Sequence, residues 1–308
     1  MSRLRQVLAD YLTVRRALGF KLARAAKLLD QYLAYVESRH EEHLRLETML
    51  AWATLPRNAN RYWAAYRLSI VRRFAVHVHA IDPTTDVPPA DVLPWRQSRA
   101  TPYLYADHEL HALLAAAGTL RTPHRIATFR TLLGLLMVTG MRVGEALALD
   151  RGDLDATDHV LTIRLTKFGK SRELPVDPST VDALQAYMRR RDRPRGSAPT
   201  PAVLVSTAGT RLRYTNVQGT FHRLVQCAGL TARSAACRPR LHDLRHRFAV
   251  RTLLDAYEQG KDPDVQLARL STYLGHVDPK ATYWYLSAAP ELLHVAGDRL
   301  DRALGAKA

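Results

Sequence analysis

TGMRVGEALALDRGDLDATDHVLTIRLTKFGKSRELPV, residues 139–176, decides the architecture of this chain. Gly140 stops an apolar helical run that comes in from about Arg125 to Val138, and a new helix starts near Val143. The period then changes from helical to alternating. Leu161-Thr-Ile163-Arg-Leu165 and Arg172-Glu-Leu174-Pro-Val176 flank Phe168-Gly169-Lys170, and alternation on both sides of a glycine turn is the signature of a β-hairpin. A helix break followed by one hairpin predicts a mainly α protein with a small antiparallel β-sheet.

Downstream, helical spacing resumes near 178–192, 215–228, 242–256 and 264–274, with a Pro- and Ser-containing loop around 193–201. The tail from Pro290 to Ala308 can form one short amphipathic helix through Leu292, Leu293, Ala296, Leu300 and Leu304. Upstream, a helix starts at Asp107 with Leu110, Leu113 and Leu114 on its apolar face. Before it, DPTTDVPPADVLPWRQSRATPY (82–103) carries five prolines and little periodicity, which reads as an extended linker.

Residues 1–81 read as a separate helical domain. Leu4, Leu8, Tyr11 and Leu12 keep helical spacing, as do Ala25, Leu28, Leu29, Tyr32, Leu33 and Val36. Further helices are expected over 44–54 and 60–80. The last carries Arg61, Arg67, Arg72 and Arg73 with Tyr62, Trp63 and Tyr66 among them. Such a face suits phosphate contacts, and reads equally as a solvated face over aromatic core residues. Two domains are therefore expected: 1–81, and 104–308 beyond the linker.

The 308 residues are 47% hydrophobic and 24% charged, the balance of a globular protein. The formal net charge of +16 points to a polyanionic partner, with nucleic acid first. Residues 1–100 hold 16 Lys+Arg against 9 Asp+Glu, and the remainder 29 against 20, so both parts can face the same polyanion. No compact basic block sits beside an apolar anchor, which ranks a membrane surface lower. The strongest apolar run, Leu132 to Val138, is far shorter than the ~20 residues of a membrane span. Cys227 and Cys237 alone make neither a disulfide framework nor a four-ligand zinc site, which fits a reducing cytoplasm.

Four strings of the second part carry chemistry: TGMRVGEALAL (139–149), TKFGKSRELPV (166–176), HDLRHRF (242–248) and LGHVDPKATYWYL (274–286). His242 and Arg245 project from one helix face. Arg142 opens a helix, and its planar fork suits two phosphate oxygens. Two arginines on one phosphate could neutralise the charge that builds at a five-coordinate phosphorus. No paired carboxylates support a two-metal nuclease, and no phosphate-binding G-x-x-x-x-G-K-[ST] loop occurs. No metal or cofactor is expected. Glu145, three residues after Arg142, could orient it by an ion pair or could be plain helix surface. Taken singly, each string also reads as ordinary surface or packing.

Together, in this order, the four strings resemble the tyrosine recombinase (phage integrase) family from residue 104 onward. The basic helical first part is similar to that family's core-binding domain. The resemblance implies site-specific cutting and rejoining of double-stranded DNA through a 3′-phosphotyrosyl intermediate. Arg142 and Arg245 would clamp the scissile phosphate, and His242 and His276 would hydrogen-bond it and assist proton movement. Lys167 would protonate the leaving 5′ oxygen, with Lys170 the competing lysine. Tyr285 would attack, since it follows the LGH histidine by the family's nine residues, whereas Tyr283 stands two short. The resemblance also implies a homo-tetramer on DNA, with the C-terminal tail docked on a neighbouring protomer. The string LSTYLGHVDPKATYWYL (270–286) resembles recombinases of mobile elements that work with companion recombinases. DNA relaxation of the type IB topoisomerase kind, and a non-catalytic DNA-binding accessory protein, are the competing functions.

Overall fold

The computed structural model describes residues 2–56, 61–93, 100–164, 171–192 and 200–276. The chain divides into two compact units, Met1–Arg99 and Ala100–Ala308.

In the first unit, α1 (Arg3–Ala17), α2 (Ala23–Ser38), α3 (Leu46–Thr54) and α4 (Arg61–His79) enclose one core. Ser2 caps α1 by accepting from the Arg5 amide. The apolar stripe expected on α2 is buried at Leu28, Leu29, Tyr32, Leu33 and Val36, and meets Met49, Trp52, Val71 and Phe74. The basic face expected on α4 is divided. Arg61 and Arg73 are exposed, but Arg67 is only 7% exposed. Its Nη2 donates to the Trp52 carbonyl at 2.6 Å, and its guanidinium lies 3.7 Å over the Trp52 ring. Arg72 Nε donates to the Pro88 carbonyl at 2.8 Å.

That last contact belongs to a wider attachment. The Asp86 amide donates to the Leu44 carbonyl at 2.9 Å, and Val92 and Leu93 pack on the first core. At the other end of the 82–103 stretch, Tyr103 and Tyr105 are buried in the core of the second unit. Apolar side chains thus tie both ends of this proline-rich stretch to folded surfaces.

The second unit contains α5 (Asp107–Ala117), α6 (Pro123–Thr139), α7 (Val143–Ala148), α8 (Pro178–Asp192), α9 (Tyr214–Cys227), α10 (Leu241–Glu258) and α11 (Pro263–Leu274). Its sheet has the antiparallel order β1 (Leu154–Asp155), β2 (Val160–Ile163), β3 (Arg172–Pro175). The two expected strands pair in register, with Leu161 opposite Leu174 and Ile163 opposite Arg172. β1 adds a third strand whose two residues are too few to show alternation.

Helix α6 starts earlier than its apolar period suggests. Thr122 caps it and Pro123 fills the first turn, where a missing N–H costs nothing. Its Phe129, Leu132, Leu133 and Leu136 form the middle of the core with Leu161, Ile163, Leu174, Leu184 and Leu244. α10 and α11 close a second cluster through Leu253, Tyr257, Leu267 and Leu270. Both cysteines are free, Cys227 exposed and Cys237 buried. Among the described residues, no helix is long and apolar enough to cross a membrane.

Candidate active site

The site is assembled where three helix ends meet: the C-terminus of α6, the N-terminus of α10 and the C-terminus of α11. Gly140 ends α6 in the left-handed region at φ 59°. A Cβ there would lie 2.8 Å from Cγ of Phe248, so a side chain is excluded on two counts. The turn it permits leads to Arg142, which is extended (φ −71°, ψ 142°) and caps α7.

Glu145 holds Arg142 from inside α7. Its Oε2 accepts from the Arg142 amide at 2.9 Å, and its Oε1 from Arg142 Nη1 at 2.8 Å. Arg172, at the start of β3, adds a bidentate grip on the same carboxylate at 3.1 and 2.9 Å. Burial alone would raise the Glu145 pKa. The hydrogen bonds from Arg172 and from the Arg142 backbone override it and hold the group at about 2.

At the start of α10, Asp243 reaches back to Arg240, accepting from its amide at 3.1 Å and from Nη2 at 2.7 Å. This fixes the first turn, which carries His242 and Arg245. Arg245 is 2% exposed and is among the largest fully buried side chains. It donates through Nη1 to the Gly140 carbonyl at 3.0 Å and through Nη2 to the Leu274 carbonyl at 2.8 Å. The same Nη2 lies 2.9 Å from His276 Nε2.

His276 follows α11 directly. Gly275 ends that helix at φ 67°, and the His276 amide donates back to the Ser271 carbonyl at 3.0 Å. Arg142 Nη2 donates to the Gly275 carbonyl at 3.5 Å, and Arg172 Nε to the Tyr273 carbonyl at 3.1 Å.

The electrostatics follow from this crowding. The His276 pKa is lowered to about 4 by burial and then by Arg245, Arg142, Arg172 and His242. That of His242 falls to about 4 by loss of solvent around the ring and then by Arg245, Arg142 and Arg240. The ring of His242 also packs edge-on against His246, with centroids 4.7 Å apart. Four of the six residues expected from sequence, Arg142, His242, Arg245 and His276, thus lie together, and burial and the arginines favour neutral imidazoles. Lys167, its rival Lys170, Tyr285, its rival Tyr283 and the tail from Pro290 lie outside the described residues.

Arg172 joins this site without having been expected in it. Its signal was present in the hairpin string, but a partner about a hundred positions away has no local trace. The ion pair considered for Glu145 is found, and it has a second arginine.

Comparison with known proteins gives a consistent result. Residues 104–291 match the phage integrase family. The integrase/recombinase y4rB of Sinorhizobium fredii is 43% identical over 310 residues, covering 98% of each chain. The tyrosine recombinase XerC of Herpetosiphon aurantiacus is 28% identical over 309 residues, covering 97% of this chain and 92% of its own. Among solved structures, the integrase of the Tn1549 transposon, in complex with transposon right end DNA, superposes with a TM-score of 0.62. It does so at 15% identity and covers 97% of this chain and 99% of its own, a likeness of fold.

Proposed function

The chain belongs to the phage integrase family of tyrosine recombinases, enzymes that cut and rejoin DNA at specific sites, and from this premise we propose which of its residues perform each step. Arg142 and Arg245 clamp the scissile phosphate. Their guanidiniums face the charge that grows on the nonbridging oxygens as phosphorus becomes five-coordinate. His242 and His276 hydrogen-bond the same phosphate and assist proton movement.

Tyr285 attacks phosphorus, its hydroxyl proton passing to a neutral histidine of the site. The bond from phosphorus to the 5′ oxygen breaks, Lys167 gives that oxygen its proton, and a 3′-phosphotyrosyl link remains. A free 5′-hydroxyl from another strand then attacks the link, releases Tyr285 and restores the phosphodiester.

The observation that carries this reading is the convergence of two arginines and two histidines, with Arg245 and His276 2.9 Å apart. Double-stranded DNA is the proposed partner, consistent with the net charge of +16. The first unit is proposed to bind DNA as a core-binding domain. A homo-tetramer on DNA, a tail exchanged between protomers, companion recombinases and a cytoplasmic location complete the proposal.

The test is a set of nicked duplexes tiling the DNA that flanks the gene. Each traps a covalent adduct when cleavage releases a short strand. The expected result is an adduct with the native chain and with Tyr283→Phe, and none with Tyr285→Phe. Tight binding with no adduct would assign a non-catalytic DNA-binding role. Relaxation of any supercoiled plasmid without a specific site would assign a topoisomerase.

A further inference from the structure

Three successive carbonyls end α11, and each accepts from a different arginine. Tyr273 is bonded by Arg172 Nε at 3.1 Å, Leu274 by Arg245 Nη2 at 2.8 Å, and Gly275 by Arg142 Nη2 at 3.5 Å. The last carbonyls of a helix have no partner inside it and carry its partial negative charge. Here they orient guanidiniums. Two of the three belong to the proposed phosphate clamp. The third, Arg172, is 14% exposed and has no assigned task.

Arg172 touches three elements at once. It sits at the start of β3, grips Glu145 of α7 with both Nη atoms, and bonds the end of α11. Its side chain also packs closely against Gly275, since a Cβ there would be 2.9 Å from its Nη1 and 3.1 Å from its Cζ. The charges matter as much as the bonds. Glu145 is an anion in direct contact with Arg142. With Arg172 present, two cations share one carboxylate and the trio keeps a positive charge. Without it, Arg142 and Glu145 form a neutral pair, and an incoming phosphate meets one charge fewer.

We propose that Arg172 is a positioning residue for strand cleavage: it neutralises Glu145 so that the charge of Arg142 remains uncompensated toward the phosphate, and it pins the helix end that precedes His276. The inference rests on the clamp roles proposed above for Arg142 and His276.

The charge argument makes a prediction that a merely structural arginine does not. Arg172→Ala should slow single-turnover adduct formation on the nicked duplex on the order of 10²-fold, with DNA affinity little changed. Adding Glu145→Gln to Arg172→Ala removes the anion that Arg172 had been neutralising, and should recover about tenfold of the rate. Arg172→Lys, which keeps the charge and loses the fork, should fall between native and alanine. Full activity in Arg172→Ala, or a double variant as slow as the single, overturns the proposal.

A second readout does not depend on activity. Hydrogen–deuterium exchange at the amides of Gly275 and His276, both bonded within the α11 end, should quicken about tenfold in Arg172→Ala. Unchanged exchange there overturns the pinning role, including in a preparation whose native chain forms no adduct. A native chain without adduct would instead defeat the proposed function.

Discussion

Arg245 Nη2 lies 2.9 Å from His276 Nε2, and this pair fixes the protonation of the histidine. A guanidinium can only donate, so Nε2 is the acceptor and the imidazole proton sits on Nδ1. Burial and the neighbouring arginines hold the His276 pKa near 4, in agreement with a neutral ring. Among the described residues, the positive charge of the site at neutral pH therefore comes from arginine.

Lysine cannot replace Arg245. The native side chain serves the Gly140 and Leu274 carbonyls and His276 from one planar fork, while an ammonium is a point charge on a flexible stem. Arg245→Lys should lower adduct formation on the order of 10²- to 10³-fold, as loss of one transition-state donor does. It should also cost about 2 kcal/mol of stability, because buried carbonyls lose their partner. Single-turnover cleavage and urea unfolding measure the two effects. A variant within a few-fold of native in cleavage would show that the fork is not needed.

Stability should fall in acid, and His246 should account for part of the fall. Burial, then His242, Arg240, Arg245 and His276, lower its pKa to about 3, against 6.5 when unfolded. A depressed histidine binds fewer protons folded than unfolded, so its contribution is complete above pH 6.5 and is lost as pH drops toward 3. Glu145, held near 2, acts in the same direction below pH 4.5. Asp243, raised by burial and only partly offset by Arg240, acts in the opposite direction. Between pH 6.5 and 5 the histidines dominate. His246→Phe should flatten that limb by up to one proton, about 1.4 kcal/mol per pH unit. Urea midpoints at pH 7, 6 and 5 read the slope, and equal slopes in both proteins would refute the assignment.

The fold was legible because its signals are local. Asp107, the Gly140 stop and the two alternating runs mark element ends within a few residues of where they occur. The four converging residues were legible through short strings whose spacing matches a known family. The arginine contacts were not. Arg172 meets Tyr273 across 101 positions, Arg245 meets Gly140 across 105, and Arg142 meets Gly275 across 133. No periodicity encodes such distances. Side-chain type misleads in a similar way: Arg67 carries a charge, yet an aromatic face and one carbonyl suffice to hold it inside.

Gly140→Ala should damage both fold and site. The left-handed backbone costs a side chain roughly 1–2 kcal/mol, and overpacking against Phe248 costs about 1–3 kcal/mol more. Relief by shifting the turn would move the carbonyl that Arg245 uses, so cleavage should fall beyond what the lost stability explains. The check is the cleavage rate per folded molecule, with the folded fraction taken from the unfolding curve. If that rate equals the native one, the turn at Gly140 has no part in placing Arg245.

Arg67 separates a basic surface from a basic composition. If its guanidinium stays under Trp52, Arg67→Ala removes packing and a bond to a buried carbonyl, costing about 1–3 kcal/mol. It removes no phosphate contact, so the slope of log affinity against log salt should not change. The exposed Arg61 and Arg73 are the contrast, since loss of one phosphate contact lowers that slope by about 1. Binding titrations at several salt concentrations distinguish the three side chains. A slope reduced by about 1 in Arg67→Ala would mean that this arginine leaves the core to reach DNA.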